Sequence, residues 1–305
     1  MGGELVCSEL TKVYDSSKGK KALDAISLVV PARGVLSLIG MNGAGKTTLV
    51  RILATQLAPT SGVATIDGVD VVKEAKKLRS RIAVIPQEAR TVPWMTPRQT
   101  VLTYLMWRGC TYSESKKKAT DALGRVGMQE QSDVMNRRLS GGMKRKVLVA
   151  TVLAADADVS FLDEPTTGLD PVSRRELWGF LEEIARRHFL ILTTHYLEEA
   201  EELANIIGIM DRGKMVGIGS LESLRGSLKY QYSIRLPASA QVPPLDGVAT
   251  PGRDGGVQIL TNEDEAYRLS QLFLGSGTRF SVNRVSLDDV FFHYVRADIG
   301  EHGAQ

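Results

Sequence analysis

Apolar and polar positions along the chain alternate between two periods, and the changes of period mark the elements. Residues 34–40, GVLSLIG, form an apolar run that ends in glycine. Residues 41–57 follow with apolar side chains at Leu49, Ile52, Leu53 and Leu57, the spacing of one helix face. This stretch predicts a strand, a glycine loop and a helix. Upstream, residues 5–13 and 25–30 read as strands, and residues 63–71 as a short strand with a turn at Asp67 and Gly68. Together they predict an antiparallel layer beside a main sheet. A further apolar strand, 82–85, ends in Pro86 and Gln87, and Pro97 is placed to open a helix carrying Val101, Leu102, Tyr104 and Leu105.

Beyond Ser140 the pattern predicts a helix to about 155, a strand at 159–162, a helix at 174–187, a strand at 189–193, a helix at 197–204 and a strand at 206–210. Alternation of this kind predicts an α/β fold with a largely parallel sheet. A turn follows at 211–213, and the composition shifts near Gly226. After the shift the pattern predicts strands at 230–236 and 256–260, a helix at 263–273, a strand at 279–285 and a helix at 288–294. The domains expected are therefore 1–226, a small α+β domain at 227–296 and a frayed tail at 297–305.

With 305 residues, 43% of them hydrophobic, the chain can bury a large core. Its 38 basic and 35 acidic residues nearly balance, with basic clusters at 116–118, 137–138 and 144–146, so no nucleic-acid partner is expected. Two cysteines, Cys7 and Cys110, without a CxxC pair, exclude a disulfide framework and fit a reducing setting. The start of the chain, with Glu4 and Glu9, does not read as a secretory signal, and no apolar run approaches the roughly 20 residues that cross a bilayer. Any role at a membrane is expected to come through a separate chain.

Residues 40–47, GMNGAGKT, match GxxxxGK[ST] between a predicted strand and helix. In such a loop the backbone at Gly40, Asn42, Gly43, Ala44 and Gly45 converges on phosphates. The helix start adds a favourable dipole, Lys46 reaches the β and γ phosphates, and the Thr47 hydroxyl ligates magnesium, with Thr48 beside it. Residues 159–162 deliver Asp163 and Glu164 at the carboxyl end of a strand, where open α/β sheets bind ligands. There Asp163 would hold the metal and Glu164 would orient the attacking water and accept its proton. Ser140 is a natural N-cap, and Gly141 and Gly142 leave amides exposed at a second positive helix end. Two phosphate-directed helix starts in one chain make sense if two copies sandwich the nucleotide.

The glycine loop, LSGGM at 139–143, FLDEP at 161–165, GLD at 168–170 and TTH at 193–195 occur in the order found in the ABC ATPases, which residues 4–220 resemble. The resemblance implies a P-loop NTPase fold with an antiparallel β subdomain and a helical subdomain. It also implies ATP, Mg2+ and a head-to-tail dimer with a second copy or a homologous ATPase. Carried onto matching positions, Tyr14 stacks on adenine, Gln87 links the magnesium site to a multi-spanning permease, His195 contacts the γ phosphate, and Asp170 supports the dimer face. Trp94, Met95, Tyr104 and Trp107 fall in the region that faces the permease, Trp94 being the expected contact and Tyr104 and Trp107 expected core.

Met143 stands where the signature usually has glutamine, and Ser160 interrupts the apolar strand before Asp163. The Met variant, with SLDDVFFHYV at 286–295, is similar to the daunorubicin-type drug-export ATPases. That likeness implies ATP-driven export of a drug-like or lipid-like substrate from the cytoplasmic face of the membrane. The rival reading is a soluble ABC ATPase acting on DNA or ribosomes, which would ordinarily carry a coiled-coil insertion or a second cassette. A generic P-loop kinase would leave LSGGM unexplained.

Overall fold

The computed structural model describes residues 3–14, 19–251 and 255–302. The chain forms two compact units, Met1–Ile218 and Gly219–Gln305.

In the first unit, β1 (Glu4–Val13) and β2 (Lys21–Pro31) precede β3 (Val35–Gly40) and α1 (Lys46–Leu53). Then come β4 (Ser61–Ile66), β5 (Val69–Asp70), α2 (Ala75–Arg79) and β6 (Ile82–Ile85). Three helices follow: α3 (Pro97–Trp107), α4 (Tyr112–Arg125) and, after a 3-10 turn at Asn136–Arg138, α5 (Gly141–Ala155). The unit finishes with β7 (Val159–Asp163), α6 (Pro171–Ala185), β8 (Phe189–Thr194), α7 (Leu197–Leu203), β9 (Ile206–Asp211) and β10 (Lys214–Gly219).

The main sheet runs β10-β9-β3-β8-β7-β6, with β9, β3, β8, β7 and β6 mutually parallel. Its strands β3, β7 and β8 are buried along their whole length, which is why they read as unbroken apolar runs. Successive side chains serve opposite faces. Phe189 and Ile191 on β8 join the core shared with α1 and the antiparallel sheet β2-β1-β4-β5, whereas Leu190 and Leu192 join the core under α5 and α6. The expected antiparallel layer is present.

Helices α3, α4 and α5 pack on one another as the helical subdomain. Capping boxes open two of them, Thr96 with Gln99 on α3 and Thr111 with Glu114 on α4, each satisfying two end amides reciprocally. Three features differ from the sequence expectation. Helix α1 stops at Leu53, with Thr55 in the left-handed region at φ 60°, so Leu57 packs from a loop. Helix α6 begins at Pro171, where the Asp170 cap and the fixed proline φ start it three residues earlier than the apolar spacing does. Trp107, expected in the core, is 85% exposed at the end of α3, while Tyr104 is half-buried beneath the Arg108 guanidinium, 5.9 Å from its ring centroid.

The second unit contains α8 (Leu221–Gly226), β11 (Tyr232–Leu236), β12 (Gly247–Pro251), β13 (Val257–Thr261), α9 (Glu263–Ser276), β14 (Ser281–Arg284) and α10 (Leu287–His302). Its antiparallel sheet, β12-β13-β11-β14, buries Ile234, Leu236 and Ile259 against Leu269 and Phe273 of α9. Helix α8 precedes the composition shift at Gly226 yet packs with α10, and Arg225 Nε donates to the Val285 carbonyl at 2.6 Å. Helix α10 runs to His302, past the expected start of the tail at 297. Residues 303–305 lie outside the described residues. Helical hydrogen bonds are local, and Gly300 weakens the run without ending it.

Two outcomes test this packing. Phe161→Ala, on a fully buried strand position, should lower stability by about 3–5 kcal/mol in denaturant unfolding. Burial pushes the Cys7 thiol up to about 12, so almost no thiolate exists there at pH 8. A maleimide at that pH should label the native chain at half-buried Cys110 alone, and both cysteines after denaturation. Native labelling of Cys7, read by mass spectrometry, would contradict the packing of β1 between β2 and β4.

Candidate functional site

Helix α1 opens without a side-chain cap, at Gly45. Its first amides are therefore free to bind an anion at the positive helix end. Gly45 holds φ at 104°, and a Cβ there would lie 2.5 Å from the Ala22 carbonyl oxygen, so only glycine fits the turn. Lys46 is buried, and its Nζ donates to the carbonyls of Gly40 at 2.8 Å and Met41 at 3.2 Å. Burial lowers its pKa, opposed by the nearby Glu164 and Asp163 carboxylates.

The loop borders a cleft of ≈ 670 Å³ whose lining includes Tyr14, Asn42, Gly43, Thr47, Gln87 and Glu164. Tyr14 is 58% exposed at this cleft, shares a 3.2 Å hydrogen bond with the Thr48 hydroxyl and has the Lys12 ammonium over its ring, 5.6 Å from the centroid. Lys20 and Lys21 also line it, two cations that no motif singled out.

Strand β7 ends with its acid pair buried, Asp163 at 3% and Glu164 at 8% exposure. Thr47 Oγ1 donates to Asp163 Oδ1 at 3.2 Å, and the Thr193 hydroxyl at the end of β8 donates to the same oxygen. Thr193 Oγ1 in turn accepts from the Glu164 amide at 3.0 Å. Glu164 sits at φ 49°, a left-handed conformation that costs a non-glycine residue about 1–3 kcal/mol. Its carboxylate collects three contacts: Gln87 Nε2 at 3.1 Å, Thr167 Oγ1 at 3.0 Å and His195 Nδ1 at 3.3 Å. Gln87, Glu164 and His195, far apart in the chain, thus meet at one carboxylate.

Thr167 and Thr193 escaped the sequence reading, although the second stands inside the TTH stretch that pointed to His195. So did Glu199, which is fully buried behind His195 and accepts from Trp178 Nε1 at 3.1 Å. Burial pushes the Glu199 carboxyl up, and it faces the Thr194 and Thr166 hydroxyls and the Arg174 charge. Arg174 stacks on Tyr196, 4.0 Å from its ring centroid, beside His195.

Ser140 caps α5, accepting from the Met143 amide at 3.2 Å, and Gly142 lies where a Cβ would stand 3.0 Å from Ser173 Oγ. Neither Ser140, Gly141 nor Gly142 lines the cleft at Lys46, and neither does Asp170. Asp170 caps α6: its Oδ1 accepts from the Val172 and Ser173 amides at 3.0 Å each, and its Oδ2 from the Ser173 hydroxyl at 2.7 Å. Those bonds, led by the Ser173 amide, lower its pKa. Within one chain, the two phosphate-directed helix starts therefore do not share a site.

The profile of the ABC transporter family matches residues 23–167. The chain is 36% identical over 222 residues to the daunorubicin/doxorubicin resistance ATP-binding protein DrrA of Streptomyces peucetius, covering 72% of this chain and 66% of that one. It is 33% identical to the daunorubicin resistance ATP-binding protein DrrA3 of Streptomyces coeruleorubidus, covering 92% of each chain. Among solved structures it is similar to cbiO1 of Clostridium perfringens, part of the ABC transporter complex cbiONQ. That likeness has a TM-score of 0.65 and 27% identity, over 74% of this chain and 92% of that one. A nucleotide-type loop, a clamped acid pair and these likenesses converge, and the chain belongs to the ABC transporter family.

Proposed function

We propose that the chain binds ATP with Mg2+ at the cleft beside α1 and hydrolyses it in a head-to-tail pair, powering export through a separate membrane permease. The observation that carries this reading is the Glu164 carboxylate, buried at the cleft wall and held by Gln87, Thr167 and His195. A carboxylate so fixed is suited to orient water and accept its proton without reorganising. Lys46, released from the Gly40 and Met41 carbonyls, would donate to phosphate oxygens.

Thr47 and Asp163 supply adjacent hard oxygen donors, the chemistry that suits Mg2+. Among the described residues no group of three or more His, Cys, Asp or Glu is placed to hold a metal alone. That fits an ion which keeps waters and takes phosphate oxygens. When bound it would neutralise charge developing on the phosphates. Tyr14 would stack on the base, and Ser140, Gly141 and Gly142 of one chain would close the site of the other, with Asp170 beside that face.

Among the described residues no helix is long and apolar enough to cross a membrane. The reading gives the spanning role to a separate multi-spanning permease and seats this subunit against its cytoplasmic face. Trp94, 73% exposed, is the candidate contact. The relatives named for daunorubicin resistance support export of a drug-like or lipid-like substrate, and nothing in the structure favours action on DNA or ribosomes.

Glu164→Gln should lower kcat for ATP hydrolysis by about 10²- to 10⁴-fold while nucleotide affinity stays within a few-fold. Turnover like the wild type would remove Glu164 from the role. A head-to-tail pair makes a second prediction. Chains carrying Lys46→Ala and chains carrying Ser140→Arg, each inactive alone, should regain part of the activity when mixed, because a mixed pair contains one intact site. No recovery, with mixed pairs shown by co-purification of differently tagged chains, would overturn the head-to-tail arrangement.

A further inference from the structure

Helix α7 buries a carboxyl that takes no part in the hydrolysis proposed for this chain. Glu199 is fully buried; its Oε1 accepts from Trp178 Nε1 of α6 at 3.1 Å, and its Oε2 has no hydrogen-bond partner. Burial raises its pKa, opposed in turn by the Thr194 and Thr166 hydroxyls, the Trp178 indole and the Arg174 charge. These groups face it from the end of β8, from the loop before α6 and from α6 itself. A buried carboxyl with one oxygen unmet is unfavourable and calls for an explanation.

The neighbours in sequence supply one. Thr166 precedes Thr167, whose hydroxyl donates to Glu164 Oε2 at 3.0 Å, and Thr194 precedes His195, whose Nδ1 lies 3.3 Å from Glu164 Oε1. Glu199 thus backs two of the three side chains that hold Glu164. On the His195 side the turn is closed. The Tyr196 amide donates to Thr194 Oγ1 at 3.0 Å and the Glu199 amide to the Tyr196 carbonyl at 3.1 Å, which fixes His195 relative to Glu199.

The Thr166 side is looser. Its hydroxyl is fully buried and faces Glu199 yet makes no hydrogen bond, and Arg174 Nε, another neighbour of the carboxyl, is unpaired as well. Two of these unmet atoms are a donor and an acceptor, Thr166 Oγ1 and Glu199 Oε2, and a small shift of the loop that carries Thr166 would satisfy both. Active-site hydrogen bonds are often incomplete without substrate and tighten when it binds. We infer that Glu199 is a positioning residue for hydrolysis, anchoring the segments that carry Thr167 and His195, and that the Thr166 hydroxyl donates to it once nucleotide is bound. The inference rests on Glu164 as the hydrolytic carboxylate.

The test is steady-state ATP turnover, alongside thermal unfolding, by the tagged full chain purified from detergent-solubilised membranes of its native source with whatever membrane protein accompanies it. Thr166→Val removes, at nearly constant shape, a hydroxyl that bonds to nothing in this structure, so a role in folding alone predicts wild-type kcat and unchanged or higher stability. The positioning role predicts a kcat about 10- to 100-fold lower with KM for ATP within about threefold, because aim is lost and nucleotide contacts are kept. Glu199→Gln should show the same split. In that background Thr166→Val should cost less than about threefold more, since the acceptor is already gone. Should Glu199→Gln not fold, Thr166→Val decides alone. Wild-type kcat in Thr166→Val, or its full cost repeated in the double variant, overturns the inference while leaving Glu164 in its role, provided Glu164→Gln is inactive. If Glu164→Gln turns over like the wild type, the reading of Glu164 fails and the inference with it.

Discussion

The structure depends on one register. Strand β8 lies between β3 and β7, and Thr193 pairs in register with Leu38 on one side and Asp163 on the other. The three parallel strands thus end level, bringing the glycine loop, the acid pair and His195 to the same edge of the sheet. The Thr193 hydroxyl ties the edge together, bonding the Asp163 carboxylate and the Glu164 amide at once. A shift of one residue in β8 would turn Thr193 to the opposite face and separate these groups.

Bringing charge to that edge is unfavourable unless each group finds a partner. Lys46 is satisfied by loop carbonyls, Asp163 by two hydroxyls, and Glu164 by an amide, a hydroxyl and an imidazole. The strained φ of Glu164 persists because the surrounding contacts over-determine it, and strain of this kind concentrates where a side chain must be aimed. Behind this layer Glu199 and Trp178 hold the segment that carries His195. The nucleotide site is an outcome of sheet packing as much as of its own residues.

A second cleft, between the loop after β6, the first turns of α5 and the loop before α6, inverts that logic. Arg90, Arg137, Lys144 and Arg145 are gathered without the carboxylates that accompany Arg81, Arg98 and Arg125. One residue of its lining, Thr167, also donates to Glu164.

Much of this protein was legible in the amino-acid order because its determinants are local. Glycine at positive φ, a lysine and threonine opening a helix, Ser140 as a cap and continuous apolar strands are all set by neighbours in sequence. The misses have the same explanation in reverse. Strand β12 and helix α8 are short segments defined by what they pair or pack with, and Trp107 has helical spacing but no neighbour to bury it. The sequence by itself determined the α/β order, the loop, the acid pair and the two helix starts, since turn conformation and side-chain period act over a few residues. Only the tertiary structure decided that Thr193 bridges the acid pair, that Gln87, Thr167 and His195 meet at Glu164, and that four cations share one cleft. Those meetings depend on strand order and register, which join residues far apart in the chain.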